Sequence, residues 1–403
     1  MKKIIIVNNN MVIGGVQKSL HNLLWAVHDQ YDVTLCLFHA SGVYMDQLPQ
    51  NVRVIESKGL CRYLGVSQGQ CKGVHKLIRG TLAGIAKVFG RSVAMKLVLA
   101  GERKMPGSYD CAISFLHNGN IHNFYGGVQE FVLNKIESDR KVAFLHCDYR
   151  NSGANHPVNN RLIARFDRIV ACSDGCRSAF EAVLPELASK CVTVRNFHRF
   201  SEIRRMAEQG SVCFEGQLPN VVMVSRLSHE KGVERAVVAA ANAKKQGFPM
   251  MLHIVGSGPM EPMLKETVKA LQMEKNVIFH GQQSNPYGYM AAADLFLMSS
   301  FHEAAPMVIE EAVSLGIPVL TTDTTSSKEM VEQTGAGWVC DNCEESLSEM
   351  LCRILSDPEK LINKKKQLQQ LRMDNTTAQE QLLHLFEESY ENDRPHSPTG
   401  QDN

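Results

Sequence analysis

The chain has 403 residues, 44% of them hydrophobic, which is enough for two or three packed domains. Lys and Arg number 43 against 42 Asp and Glu, for a formal charge of +1, so no bulk field draws in nucleic acid or a membrane and any such attraction must be local. No run of about 18 uncharged apolar residues occurs, and the run Ile4–Val7 is too short for a secretory leader, so a cytoplasmic protein is expected.

The 12 cysteines are scattered. Cys340 and Cys343 form one CxxC with no second pair at zinc spacing, and Cys172 and Cys176 stand four apart. In a long chain of this kind they read as small apolar residues, and no chemistry is assigned to them.

Short β-branched runs alternate with helical patterns along the chain, the pattern of parallel sheets wrapped by helices. Ile4–Asn8 reads as a strand. Gly15–Val27 then reads as a helix carrying Val16, Leu20, Leu23, Leu24 and Val27 on one stripe. Further strands are predicted at Val33–Phe38, Val52–Glu56, Cys111–Phe115, Lys141–Leu145, Arg168–Cys172 and Val192–Arg195. Between the third and fourth, residues 72–104 hold eight Lys or Arg and one acid, Glu102. Leu77, Ile78, Leu82, Ile85, Val88 and Phe89 share a stripe there, and Lys76, Arg79, Lys87 and Arg91 can flank it. Such a helix suits the anionic inner face of a cell membrane, and equally a stripe packed on the first sheet with its cations solvated.

Residues 199–219 are polar and punctuated, and read as a linker. A second alternating series follows at Val221–Ser225, Leu252–Val255, Val277–His280, Leu295–Met298, Pro318–Thr321 and Gly337–Cys340. The expected fold class is α/β: two Rossmann-like doubly wound domains, 1–205 and 206–375, facing across a cleft. A last helix is expected at about 378–390, and the polar tail 391–403 is expected to be disordered.

Open parallel sheets bind ligands beyond the carboxyl ends of their strands, where strand order reverses. Gly14-Gly15 follows the first strand and precedes a helix; it suits close approach of an anionic ligand, or a plain tight turn. Gly256-Ser257-Gly258-Pro259 also follows a strand, but a dinucleotide fingerprint needs glycine where Glu261 stands, and no P-loop pattern occurs. Neither NAD nor FAD is expected.

In "VVMVSRLSHEKG" Arg226 directly follows a strand and Lys231-Gly232 is placed at the start of the next helix. Two cations there suit a diphosphate. In "SSFHEAAPMVIEEAVSLGIPVL" Pro306 fits the first turn of a helix, Glu303 lies in the loop before it, and Glu311 lies one to two turns in. With the unpaired N–H groups of Met307 and Val308, the two carboxylates line a path of roughly 12 Å. That path matches a sugar, its phosphates and a ribose in sequence, although either glutamate taken singly is as well explained by a solvated face. Glu310 reads as such a face residue. No Asp-x-Asp pair occurs, so no metal is expected. His146 and Asp148 follow a first-half strand, which puts His146 on the opposite wall; His39, His117, His229 and His302 read as structural.

In this order, "RLSHEKG", "LHIVGSGPMEPMLK", "VIFHGQQSNPYGYMAAADLFLMSS" and "SFHEAAPMVIEEAVSLGIPVLTT" resemble glycosyltransferase family 4, a retaining family of GT-B fold. "GGVQKSLHNLL", "FLHCD", "RIVACSDGCRSAF" and "VTVRNF" agree in the first half, and only residues 57–105 lack a match. The resemblance implies donor-sugar and ribose contacts for Glu303 and Glu311, diphosphate contacts for Arg226 and Lys231, and a sugar contact near the reaction centre for His146. It also implies a first-domain glycine loop at Gly14 and Gly15, a base site near Gly281-Gln282, and a last helix crossing back onto the first domain. Ala304 and Ala305 stand where the family shows Gly and an aromatic residue; Ala305 still permits the free amides of Met307 and Val308 to face the donor.

The implied activity is sugar transfer with retention from a nucleoside-diphosphate sugar, a UDP-sugar first, to a glycan or lipid-linked acceptor, without metal or cofactor. Cell-surface polysaccharide synthesis is the implied setting. Rival readings are a sugar-nucleotide epimerase on the same architecture and a non-catalytic sugar-nucleotide-binding subunit.

Overall fold

The structure, a computed structural model, describes residues 1–210 and 212–387; the expected disordered tail, and the last three residues of the expected final helix, lie outside them. Seven strands form the first sheet: β1 (Lys3–Asn8), β2 (Asp32–Leu37), β3 (Arg53–Glu56), β4 (Ser108–Ser114), β5 (Glu137–Leu145), β6 (Arg168–Ala171) and β7 (Cys191–Thr193). Six form the second: β8 (Asn220–Val224), β9 (Met251–Val255), β10 (Val277–Gly281), β11 (Leu295–Met298), β12 (Val319–Thr322) and β13 (Gly337–Cys340). The orders are β3-β2-β1-β4-β5-β6-β7 and β10-β9-β8-β11-β12-β13. Adjacent strands are parallel in both sheets. These are the two doubly wound domains of the GT-B fold.

The strands are near-continuous apolar runs because both faces of each sheet are covered. Ile5 and Val7 point into one first-domain core and Ile4 and Ile6 into the other, all within 2% exposure, so each face of β1 meets a helical layer. Strand order reverses between β1 and β4 in the first sheet and between β8 and β11 in the second. The crevices for ligands therefore open beyond Asn8 and Ser114 on one wall and beyond Val224 and Met298 on the other.

The stretch 199–219 is not a plain linker. A helix, Phe200–Gln209, occupies half of it, and its Phe200 and Ile203 are buried with Tyr287, Met290 and Ile309 of the second domain. A boundary at 205 thus cuts a helix that packs on the second domain. The polar letters that suggested a linker are its solvated face. The final helix, Thr376–Glu387, buries Ala378, Leu382, Leu385 and Phe386 in the first domain, and Gln381 Oε1 accepts from the Arg195 N–H at 3.0 Å.

The region without a family match is helical: α2 (Gly73–Phe89), joined at Gly90 to α3 (Arg91–Ala100). Arg91 anchors it. Its side chain is 1% exposed, with Nε 3.3 Å from Glu130 Oε1 and Nη2 2.5 Å from Asn159 Oδ1, and its N–H donates to the Ile121 carbonyl at 2.6 Å. Removing one partner of a buried pair strands the other's charge. Arg91→Ala should therefore lower first-domain stability by about 3–5 kcal/mol in urea unfolding; a loss below about 1 kcal/mol would show that Glu130 finds water or another partner.

Candidate active site

The loop and helix after β11 carry the second wall. Pro306 caps the helix Met307–Ser314 with φ −71, and the first-turn N–H groups of Met307 and Val308 are beyond reach of any helical carbonyl. Glu303 is nearly buried at 12% side-chain exposure. Its Oε1 lies 2.6 Å from Lys231 Nζ and accepts from Ser300 Oγ at 2.7 Å. Lys231 does not open a helix: it ends the single turn His229–Lys231, and the helix starts at Val233 after Gly232. Gly232 has φ +58, and a side-chain carbon there would sit 2.1 Å from the Ser299 carbonyl oxygen. Only glycine lets the turn close onto β11, and that closeness brings Lys231 to Glu303.

Arg226 follows β8 as expected but is two-thirds exposed, held by Ser228 Oγ at 3.2 Å and by an ion pair with Glu230. Burial would raise the pKa of Glu230; hydrogen bonds from Ser228 and Arg226 outweigh it and hold the value near 2. Gly281, at φ +66, accepts from the Gly256 N–H at 2.8 Å, and Gln282 Oε1 accepts from Ser257 Oγ at 3.1 Å. Gly281-Gln282 therefore stands beside the turn after β9. Glu310 is not a solvated face residue: its carboxylate lies 3.4 Å from Nδ1 of the buried His198.

Glu311 is 1% exposed, which removes the solvated-face reading, and its partner comes from the other domain. Lys18, on helix α1 (Gly15–Val27) just past Gly14-Gly15, forms an ion pair with it and donates to Tyr287 Oη at 2.5 Å. Burial alone would lower the pKa of Lys18; the charge of Glu311 and the contact with Tyr287 reverse this and raise it, so the lysine stays charged. Gly14 is extended at φ 173, and a side-chain carbon on Gly15 would meet no atom within 4 Å. Open space thus lies in front of Gly15, whereas a side-chain carbon on Gly14 would sit 2.6 Å from Gln17 Oε1.

On the first wall His146 follows β5 and packs on Phe115 with ring centroids 4.5 Å apart. Burial lowers its pKa to about 3, with a smaller push from His117, whose own value burial lowers to about 4. His146 Nε2 and His117 Nδ1 are both buried without a hydrogen-bond partner among the described residues. His117 read as structural in the sequence. It lies beyond β4 at the first sheet's switch point, and that position was the signal available to find it.

The walls touch. Ala304 and Ala305 pack on the first-domain core; the Ala304 carbonyl faces Cys176 Sγ at 3.3 Å, and the Ala305 carbonyl accepts from Asn196 Nδ2 at 3.4 Å. Thr325 Oγ1 donates to Asp148 Oδ2 at 2.6 Å, and Ser173 Oγ meets Ser326 Oγ at 2.5 Å. A side-chain carbon on Gly175 would lie 2.0 Å from the Thr325 carbonyl oxygen, so glycine permits this closure. The cavity lined by Cys172, Ser173, Asn196, Ala305 and Glu310 measures about 20 Å³, room for about one water. The domains stand closed.

The depressed histidines make stability pH-dependent. Their folded values, about 3 and about 4, lie below the ordinary 6.5, so unfolding takes up protons on acidification. Their contribution is complete above about pH 6.5 and is lost as pH falls through the folded values. The unfolding free energy of the wild type should fall more steeply below pH 6.5 than that of His117→Gln/His146→Gln, measured in urea; parallel profiles would mean that the rings are hydrated.

Residues 208–370 match the family model described as "Glycosyl transferases group 1". The putative colanic acid biosynthesis glycosyltransferase WcaL of Escherichia coli is 31% identical over 140 residues, covering 32% of this chain and 34% of that one. A GDP-mannose-dependent phosphatidylinositol dimannoside mannosyltransferase of Mycobacterium tuberculosis is 26% identical over 212 residues, 50% and 53% of the two chains. The chain thus spans between about a third and about half of these relatives' lengths. Among solved structures, HepE of Anabaena superposes with a TM-score of 0.67 at 20% identity, over 96% of this chain and 100% of that one. TarM of S. aureus gives 0.67 at 12% identity over the same shares. The group 1 match thus lies on the second domain, and nearly the whole chain shares the fold of these solved structures.

Proposed function

We propose that the protein is a retaining, metal-independent glycosyltransferase of the family 4 type. In this reading it moves a sugar from a nucleoside diphosphate, first a UDP-sugar, to a hydroxyl of a glycan or lipid-linked acceptor in polysaccharide assembly. One segment carries the reading. Residues 299–314 present Glu303 oriented by Lys231 and Ser300, two free helix N–H groups, and Glu311, in that order beyond the switch-point strand β11. HepE has been solved with UDP and glucose and with UDP-glucose, and TarM with UDP, which supports uridine as the base. WcaL and the amylovoran biosynthesis glycosyltransferase of Erwinia amylovora lend the polysaccharide setting.

In this reading the bond from the anomeric carbon to the diphosphate oxygen breaks first. Lys231, Arg226 and the amides of Met307 and Val308 neutralise the charge gathering on the departing diphosphate. A diphosphate oxygen takes the proton from the acceptor hydroxyl, and the new bond forms on that same face, so configuration is kept. His146, kept neutral by burial, orients the sugar by a hydrogen bond at its unpartnered Nε2. In this reading the protein's own cations take the part that a metal would play beside the diphosphate.

Glu303→Gln should reduce turnover by about 2 kcal/mol in activation free energy while leaving donor affinity nearly intact; near-normal turnover would remove its role. Glu311 reaches a ribose only when Lys18 releases it. Titration calorimetry with UDP should therefore show weakening by about 1.5–3 kcal/mol for Glu311→Gln and no weakening for Lys18→Met. Equal loss in both would make Lys18 a ligand of the nucleotide. Turnover of UDP-glucose should persist in EDTA, and complete, metal-reversible loss would overturn metal independence.

A further inference from the structure

The helical pair α2–α3 has two faces, and only one of them meets the protein. Ile78, Leu82, Ile85 and Ala86 pack into the first-domain core, so the stripe read from the sequence is divided. On the other side Val74, Leu77 and Val88 stand 63%, 70% and 69% exposed, spaced three and then eleven residues apart on one helical face. Phe89 is 68% exposed at the helix end, and Val93 and Leu97 on α3 are 42% and 49% exposed. Large apolar side chains gathered like this on one surface mark a contact face.

The charges sort in the same way. Of the eight cations in 72–104, Arg91 is buried and Arg79 is turned inward, donating to the Val66 carbonyl at 2.7 Å and to Gln68 at 2.9 Å. Lys72, Lys76, Lys87, Lys96, Arg103 and Lys104 remain exposed. The one acid, Glu102, faces inward as well, accepting from Ser57 Oγ at 3.0 Å and from the Cys61 N–H at 2.7 Å. The exposed surface of residues 72–104 therefore carries six cations and no exposed acid beside its apolar side chains, on a chain whose net charge is +1.

We propose that this outer face of α2–α3 docks on an anionic lipid bilayer, with Val74, Leu77, Val88 and Phe89 entering the interface and the lysines meeting acidic headgroups. A second copy of the chain fits poorly, because a self-complementary contact would set the cations against themselves. The face is joined to the cleft: the Arg91 N–H and side chain hold the Ile121 and Gly119 carbonyls of the loop that starts at His117. Docking would thus bring the first-domain lip of the cleft to the lipid surface. The inference does not rest on glycosyl transfer, since its measurement involves no sugar.

Flotation of the full chain with vesicles of phosphatidylglycerol and phosphatidylcholine, against phosphatidylcholine alone, tests it. The wild type should float with the anionic vesicles and be released by 0.5 M salt. The exposed variants Leu77→Ser/Val88→Ser and Lys76→Gln/Lys87→Gln/Lys96→Gln should each lose at least tenfold in binding, the charge variant roughly a hundredfold. Lys269→Gln/Lys275→Gln, on the second domain, should bind as the wild type does, with circular dichroism confirming that every variant is folded. A wild type that ignores anionic vesicles, or variants that bind them unchanged, would overturn the proposal. So would a wild-type dimer on size exclusion that the Leu77→Ser/Val88→Ser variant abolishes without change in flotation.

Discussion

A lysine and a glutamate hold the two halves of this molecule in register. Lys18 from the first domain and Glu311 from the second meet in a site where the glutamate has almost no water, and Tyr287 completes the contact. Neither charge would tolerate that place alone, since stripping water from one ion costs several kcal/mol. Closing the domains is what makes the pair possible, and the pair in turn penalises opening unless something else satisfies Glu311. A ligand bearing hydroxyl groups, entering between the walls, is suited to do so.

The rest of the site follows from where the strands end. Both sheets are parallel and reverse order once, so the loops beyond β1, β4 and β5 face those beyond β8 and β11. The two walls differ in their electrostatics. The second-domain wall is charged but internally balanced, with Lys231 against Glu303 and Arg226 against Glu230. The first-domain wall offers two neutral imidazoles with unused ring nitrogens and a glycine loop with open space before Gly15. A balanced charged wall can shift its cations toward an arriving diphosphate at little cost, while a neutral wall can hold hydroxyl groups without demanding a proton.

Much of this was legible because burial writes itself into the alphabet. Inner strands such as β1 and β11 coincide with β-branched or apolar runs, since strands covered on both faces can hold little else, whereas the edge strand β3 is largely exposed. Glu303 and Glu311 stood out because acids beside an apolar helix start need a partner. What was not legible depended on partners distant in the chain. Lys18 looked like any helix lysine, and its mate lies 293 positions away (311 − 18). Helix Phe200–Gln209 shows a polar face to solvent and was read as linker because its burial comes from Tyr287 and Ile309. In α2 two apolar faces overlapped in one run of letters, and only packing separated Leu82 from Leu77.

The most direct measurement is a crystal structure of the protein with a UDP-sugar bound. The account predicts the nucleotide between the walls, with the Glu311 carboxylate on the ribose hydroxyls at about 2.7 Å, Lys18 withdrawn from it, and Glu303 against the sugar. An unbroken Lys18–Glu311 pair, with the nucleotide bound elsewhere, would contradict it.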